Sequence, residues 1–183
     1  QGQPVAQHNL GLAYEKGTGI AQSYEEAIKW YRLAAEQGYT GSQVNLGLIY
    51  AEGRGVGKDY TEAIKWYRQA ADQNVPEAQS NLGNMYKDGL GVAKDAMEAI
   101  KWYRKAAERK HAGAEYNLGV MYATGTGVSR NHAEAVKWYR KAAEQGLPHA
   151  QIELGNAYMN GNGVDQSYND AAKWFRLAAE QGN

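Results

Sequence analysis

The chain has 183 residues, with 20 Lys and Arg against 20 Asp and Glu and no cysteine. That balance leaves no block basic enough to track a nucleic-acid backbone or a charged membrane surface. The missing cysteine excludes disulfide scaffolds, thiolate zinc clusters and thiol catalysis, and no apolar run approaches the roughly 18 residues of a membrane span.

Trp30, Trp66, Trp102, Trp138 and Trp174 follow one another at intervals of 36 residues, and nearly the same words surround each. Self-similarity at such a period marks a stacked array of one supersecondary unit. The repeats run 4–39, 40–75, 76–111, 112–147 and 148–183, making one domain over 1–183.

In the first repeat, Gly17-Thr18-Gly19 separates two helices and Ser23…Glu26 opens the second. In the second, Val44, Leu46, Ile49 and Tyr50 fall at helical spacing, which predicts a helix over about 41–52. Gly53-Arg54-Gly55 stops it, glycine being the residue that accepts the left-handed conformation just past a helix end. Asp59…Glu62 is a capping box, and the helix it opens spans about 60–73. The third repeat has Gly89-Leu90-Gly91 and Asp95…Glu98, the fourth Gly125-Thr126-Gly127 and Asn131…Glu134, the fifth Gly161-Asn162-Gly163 and Ser167…Asp170. The expectation is all-α: five helix-turn-helix repeats with no strand.

Gly11, Gly47, Gly83, Gly119 and Gly155 lie inside first helices, where glycine costs roughly 1 kcal/mol against alanine. Their recurrence predicts a close helix crossing. The Ala-Ala pairs from Ala34-Ala35 to Ala178-Ala179 predict close packing on the second helices, with Trp and Tyr filling the seams.

The run from Ala78-Gln79-Ser80-Asn81-Leu82-Gly83 through Tyr86 and Gly89-Leu90-Gly91-Val92, then Glu98-Ala99-Ile100-Lys101-Trp102-Tyr103-Arg104-Lys105-Ala106-Ala107, resembles the Sel-one-like repeat (SLR) family, relatives of tetratricopeptide repeats. The resemblance covers residues 4–183. It implies a right-handed αα-superhelical solenoid with first helices on the concave side. It also implies an adaptor or scaffold role, and a bacterial, exported or periplasmic protein somewhat more than a cytoplasmic one. The chain departs from the pattern where Ala96 and His132 match Tyr60, where Arg109-Lys110 replaces Gln-Gly, and where Glu153 replaces Asn.

No catalytic constellation stands out. The Gly-x-Gly loops follow helices, whereas a phosphate-binding loop follows a strand and opens a helix. His8, His111, His132 and His149 lack partners at metal spacing, and no cofactor is expected. The lysines at 29, 65, 101, 137 and 173 read as a solvated face, with Arg68–Asp72 and Arg104–Glu108 as i,i+4 pairs.

A helical wheel turns Val44 and Leu48 away from Leu46 and Tyr50, predicting an outward stripe on the first helices. Its central members are His8 and Leu12, Val44 and Leu48, Ser80 and Asn84, Tyr116 and Val120, and Ile152 and Asn156, with Glu15, Ala51, Lys87, Ala123 and Met159 a turn further on. They vary where the core does not, as positions in a protein- or peptide-binding groove would. The competing account is that neighbouring first helices pack on one another through these side chains. Asn9, Asn45, Asn81 and Asn117 flank the stripe. They would either hold an extended peptide backbone, as in related tetratricopeptide repeats, or form a ladder of hydrogen bonds between repeats.

The chain begins at Gln1 rather than Met, and no capping helix follows Trp174, Phe175 and Leu177. These features predict a processed product that is a segment of a longer array, or ends that self-associate. The leading function is a non-enzymatic interaction scaffold. The alternatives are a regulatory or targeting segment of a longer protein, and a consensus-engineered scaffold.

Overall fold

The computed structural model describes residues 2–181. Among them are ten helices and no strand: α1 (Gln3–Lys16), α2 (Tyr24–Glu36), α3 (Thr40–Glu52), α4 (Tyr60–Asp72), α5 (Pro76–Asp88), α6 (Ala96–Glu108), α7 (Ala112–Thr124), α8 (His132–Glu144), α9 (Pro148–Asn160) and α10 (Tyr168–Glu180). Each 36-residue repeat is one helix pair, with odd-numbered helices first and even-numbered helices second. The chain divides into two compact units, Gln1–Lys94 and Asp95–Asn183. The first holds α1 to α5 and the second α6 to α10. Residue 1 of the expected domain and residues 182–183 of its last repeat lie outside the described residues.

The second helices start where the capping boxes place them. The side chains of Ser23, Asp59, Asp95, Asn131 and Ser167 accept from the backbone N–H three residues on. Each cap satisfies one orphan donor and contributes about 1 kcal/mol. First helices end at left-handed glycines. At Gly53 (φ 76°), the N–H groups of Gly53 and Arg54 both return to the Ile49 carbonyl. The chain then doubles back, and Asp59 N–H reaches the Tyr50 carbonyl at 2.9 Å, closing the hairpin.

Packing explains the constant residues. Leu46, Leu82, Leu118 and Leu154 are fully buried, each contributing about 1.5–3 kcal/mol by leaving water. Gly11, Gly47, Gly119 and Gly155 face aromatic rings of the second helix of their own repeat. A Cβ on Gly11 or Gly155 would lie 2.6 Å from the ring of Tyr31 or Phe175, and on Gly47 or Gly119 closer still to Tyr67 or Tyr139. Glycine therefore permits a crossing that any side chain would block. Trp66 and Trp102 are 3% and 8% exposed, and the other three tryptophans are half-buried.

Four seams, α2 on α3, α4 on α5, α6 on α7 and α8 on α9, join successive repeats, and each lies within one unit. One link was not anticipated. Arg32, Arg68, Arg104 and Arg140 donate to the hydroxyls of Tyr50, Tyr86, Tyr122 and Tyr158, at 2.6–2.7 Å. The expected pairing of Arg68 with Asp72 and of Arg104 with Glu108 gives way to these bonds, because the guanidinium leans across the seam. The lysines pair with the capping-box carboxylate three residues back, as Lys65 does with Glu62 at 3.2 Å.

A second link runs through amides. Gln43, Gln79 and Gln151 are at most 3% exposed and donate to the carbonyls of Ala35, Ala71 and Ala143 in the preceding repeat. Gln37, Gln73 and Gln181 in turn donate to Gln7, Gln43 and Gln151.

Candidate partner-binding face

In the first unit the stripe is interrupted. Val44 and Ser80, expected to face outward, are each 5% exposed, and so not open to a partner. Neighbouring first helices approach closely at the start of α3. His8 Nδ1 lies 2.9 Å from Ser42 Oγ, and a Cβ on Gly41 would come within 3.3 Å of the His8 ring. The wheel assigns a face but not the distance to the next helix. His8 itself is half-buried, with its ring 4.8 Å from that of Tyr39 and 5.5 Å from that of Tyr31. Burial holds its pKa below the ordinary value of 6.5, against a smaller opposing pull from Glu15, which suits a neutral packing residue. Leu12, Leu48 and Asn84 remain half-buried, with part of each side chain accessible.

In the second unit the stripe is more open. Ile152 is 43% exposed and Met159, one turn beyond Asn156, is 38% exposed. Tyr116, Val120 and Asn156 are half-buried. The Tyr116 ring sits 5.9 Å from that of Tyr139 and 6.2 Å from that of His149. Burial first, and the Glu153 carboxylate second, raise the pKa of Tyr116.

The flanking asparagines differ in exposure. Asn45 lies beside the Tyr31 hydroxyl across the first seam, near enough to lower its pKa slightly against the larger rise from burial. Asn9 is exposed, and Asn81 and Asn117 are half-buried.

Beside Asn45 lies a polar cluster that sequence reasoning missed. Glu15 accepts from the Tyr31 hydroxyl and from the Arg54 guanidinium, the latter at 2.6 Å. Arg54 also pairs with Glu52 at 2.8 Å, and Tyr24 lies beside it. Burial and Glu15 push the Tyr31 phenol well above its ordinary value. In the second unit a cavity of about 170 Å³ opens among Ala123, His132, Tyr139, Glu153, Asn156 and Asn162, with Ala135, Val136 and Ala157 completing its wall.

No group of His, Asp and Glu among the described residues has the arrangement of a metal site, and no helix among them is long and apolar enough to cross a membrane. Helix pairs stacked in register, with variable residues on one face of the first helices, define an αα-repeat interaction module. The Sel1 repeat model matches residues 4–39, 41–75, 76–111, 112–147 and 148–183, and the chain belongs to that family. Sel1 repeat proteins are generally protein-interaction scaffolds and typically non-enzymatic.

Among solved structures, a protective antigen of uropathogenic Escherichia coli with an SLR fold is 43% identical over the whole chain, with a TM-score of 0.95. The chain spans 39% of that protein's length. A Sel1 repeat protein from Oxalobacter formigenes is 39% identical over 98% of this chain and 72% of its own, with a TM-score of 0.92. An immunity protein from Pseudomonas aeruginosa is 26% identical over the whole chain and 66% of its own, with a TM-score of 0.65. No curated sequence matches the chain.

Proposed function

We propose that this chain is a non-enzymatic scaffold that binds a protein or peptide on the face formed by its first helices, the concave face in solenoids of this class. The observation that carries this reading is the contrast between constant seams and a variable first-helix face. Successive repeats share the tryptophans and the first-helix glycines, whereas Leu12, Leu48, Asn84, Val120 and Asn156 differ in size and polarity at one register position and stay partly accessible. Val44 and Ser80 support that face from beneath rather than touching the partner. Ile152, Tyr116 and Asn9 supply its more open contacts.

Site-specific photo-crosslinking in the source cell tests the reading. A benzophenone at Asn9, Asn84 or Ile152 is expected to yield a discrete protein adduct, and one at Lys29 or Lys173 on the second helices is not. Adducts confined to the second-helix positions, or none at any first-helix position, would overturn it.

A further inference from the structure

The polar cluster of the first seam and the cavity of the last occupy equivalent places in the repeat. Three repeats separate Glu15 from Ala123, Tyr24 from His132, Tyr31 from Tyr139, Asn45 from Glu153, and Arg54 from Asn162. In the first seam the Arg54 guanidinium fills this place and is held by the Glu15 carboxylate at 2.6 Å. In the last seam both members of that pair are gone. Alanine stands for the glutamate and the shorter asparagine for the arginine, and the space of about 170 Å³ is what they leave.

The last seam has not lost its negative charge; it has moved it. Glu153 puts a carboxylate on the opposite wall, where the other seams carry Asn45, Asn81 and Asn117. It is half-buried and lines the cavity, with no hydrogen-bond or ion-pair partner among the described residues. It lies close enough to Tyr139 and Tyr116 to raise both phenol pKa values, second to burial. A carboxylate, a phenol and the amide of Asn156 thus line a hole whose counterpart in the same chain holds a guanidinium. At the second seam the equivalent positions carry Ala51 and Leu90, which supply neither member of the ion pair.

We infer that the cavity bounded by Ala123, Tyr139, Glu153, Asn156 and Asn162 is a subsite for the guanidinium of an arginine side chain on the protein partner. The inference deepens the scaffold reading and rests on it. Arg54 serves as an internal copy of the ligand: a planar cation with a fork of N–H donors, matched to a carboxylate in a partly desolvated place. The subsite selects arginine over lysine because the carboxylate, phenol and amide accept in several directions, which a compact ammonium on a flexible stem meets less well.

The test is a titration of the 15N-labelled protein with Nα-acetyl-arginine methylamide, followed by amide shifts. Nα-acetyl-citrulline methylamide serves as the uncharged isostere and the acetyl-lysine analogue as the second control. Saturable shifts at Tyr139, Glu153, Asn156 and Asn162 are expected with the arginine probe, at least tenfold weaker with citrulline. Glu153→Gln should remove them. The double variant Ala123→Glu/Asn162→Arg rebuilds the first-seam pair and should also remove them while circular dichroism stays unchanged. The absence of saturable shifts, equal binding of citrulline, or binding retained in Glu153→Gln overturns the subsite. The partner photo-crosslinked at Ile152 separates this failure from that of the scaffold reading. A partner captured equally well by Glu153→Gln removes the arginine subsite and leaves the face. No capture from any first-helix position removes the face itself.

Discussion

Glu115 occupies the place of the ladder glutamines and cannot do their work. Gln43, Gln79 and Gln151 each donate an amide N–H to an alanine carbonyl of the preceding repeat, at 3.0–3.2 Å. The corresponding carbonyl for Glu115 is that of Ala107, and the two residues border one surface pocket with Lys141 and Gln145. An ionised carboxylate there presents lone pairs to lone pairs. Glu115 is 3% exposed and keeps one partner, accepting from the Gln145 amide. Burial raises its pKa above the ordinary 4.5, against smaller opposing contributions from Lys141, Gln145 and Lys110, with Glu144 adding to the rise.

Glu115→Gln restores the missing donor and removes a buried charge. A neutral hydrogen bond contributes about 1 kcal/mol net, and relief of the desolvated carboxylate adds a similar or smaller amount. Stabilisation of about 1.5 kcal/mol is expected at pH 7.5. That corresponds to a rise in Tm of about 3–6 °C for a chain of this length. The gain should depend on pH. A carboxyl whose folded pKa exceeds its unfolded value binds its proton more tightly when folded. Its contribution is fully present below the unfolded value and is lost as pH rises through the folded one. The wild type therefore recovers stability relative to the variant on acidification, and the Tm difference narrows towards pH 4. Paired melts by circular dichroism at pH 4, 5.5 and 7.5 measure this. A variant no more stable than wild type at pH 7.5, or a difference that ignores pH, would refute the reasoning.

Three further outcomes follow from the geometry. Lys110 adopts φ 58° where the first and fourth repeats use Gly38 and Gly146, so Lys110→Gly should stabilise by about 0.5–1 kcal/mol in urea unfolding despite glycine's greater freedom when unfolded. Gly47→Ala drives a methyl into the Tyr67 ring, whose residue is 1% exposed, and should cost about 1–3 kcal/mol; a melt unchanged from wild type would contradict the close crossing. Tyr86→Phe deletes the acceptor of Arg68 and should cost about 0.5 kcal/mol, an effect that vanishes in an Arg68→Ala background when the double-mutant cycle is closed.

What could be read from the residues alone follows a physical division. Caps, helix stops and the glycine crossings were legible because each is specified within one repeat and written five times. The Arg32–Tyr50 type of link was not, since its partners belong to different helices, although their constant separation of 18 residues in four repeats was the available signal. The outward stripe was legible as a face, but the burial of Val44 and Ser80 depends on how near the next helix comes, which a wheel does not contain. The cavity at Glu153 was invisible for another reason. It is defined by what Ala123 and Asn162 omit, and that omission has meaning only once Glu15 and Arg54 are seen holding each other.

The seams also bear on how such a chain changes length. Each is closed by an arginine reaching a tyrosine at fixed positions in the repeat, and three of the four also by a glutamine reaching an alanine carbonyl. A 36-residue segment copied or removed in register creates a junction whose two sides already carry those groups. Gene duplication and deletion can therefore lengthen or shorten the array without inventing new contacts, while point mutation is left free to diversify the partner-facing residues of each copy.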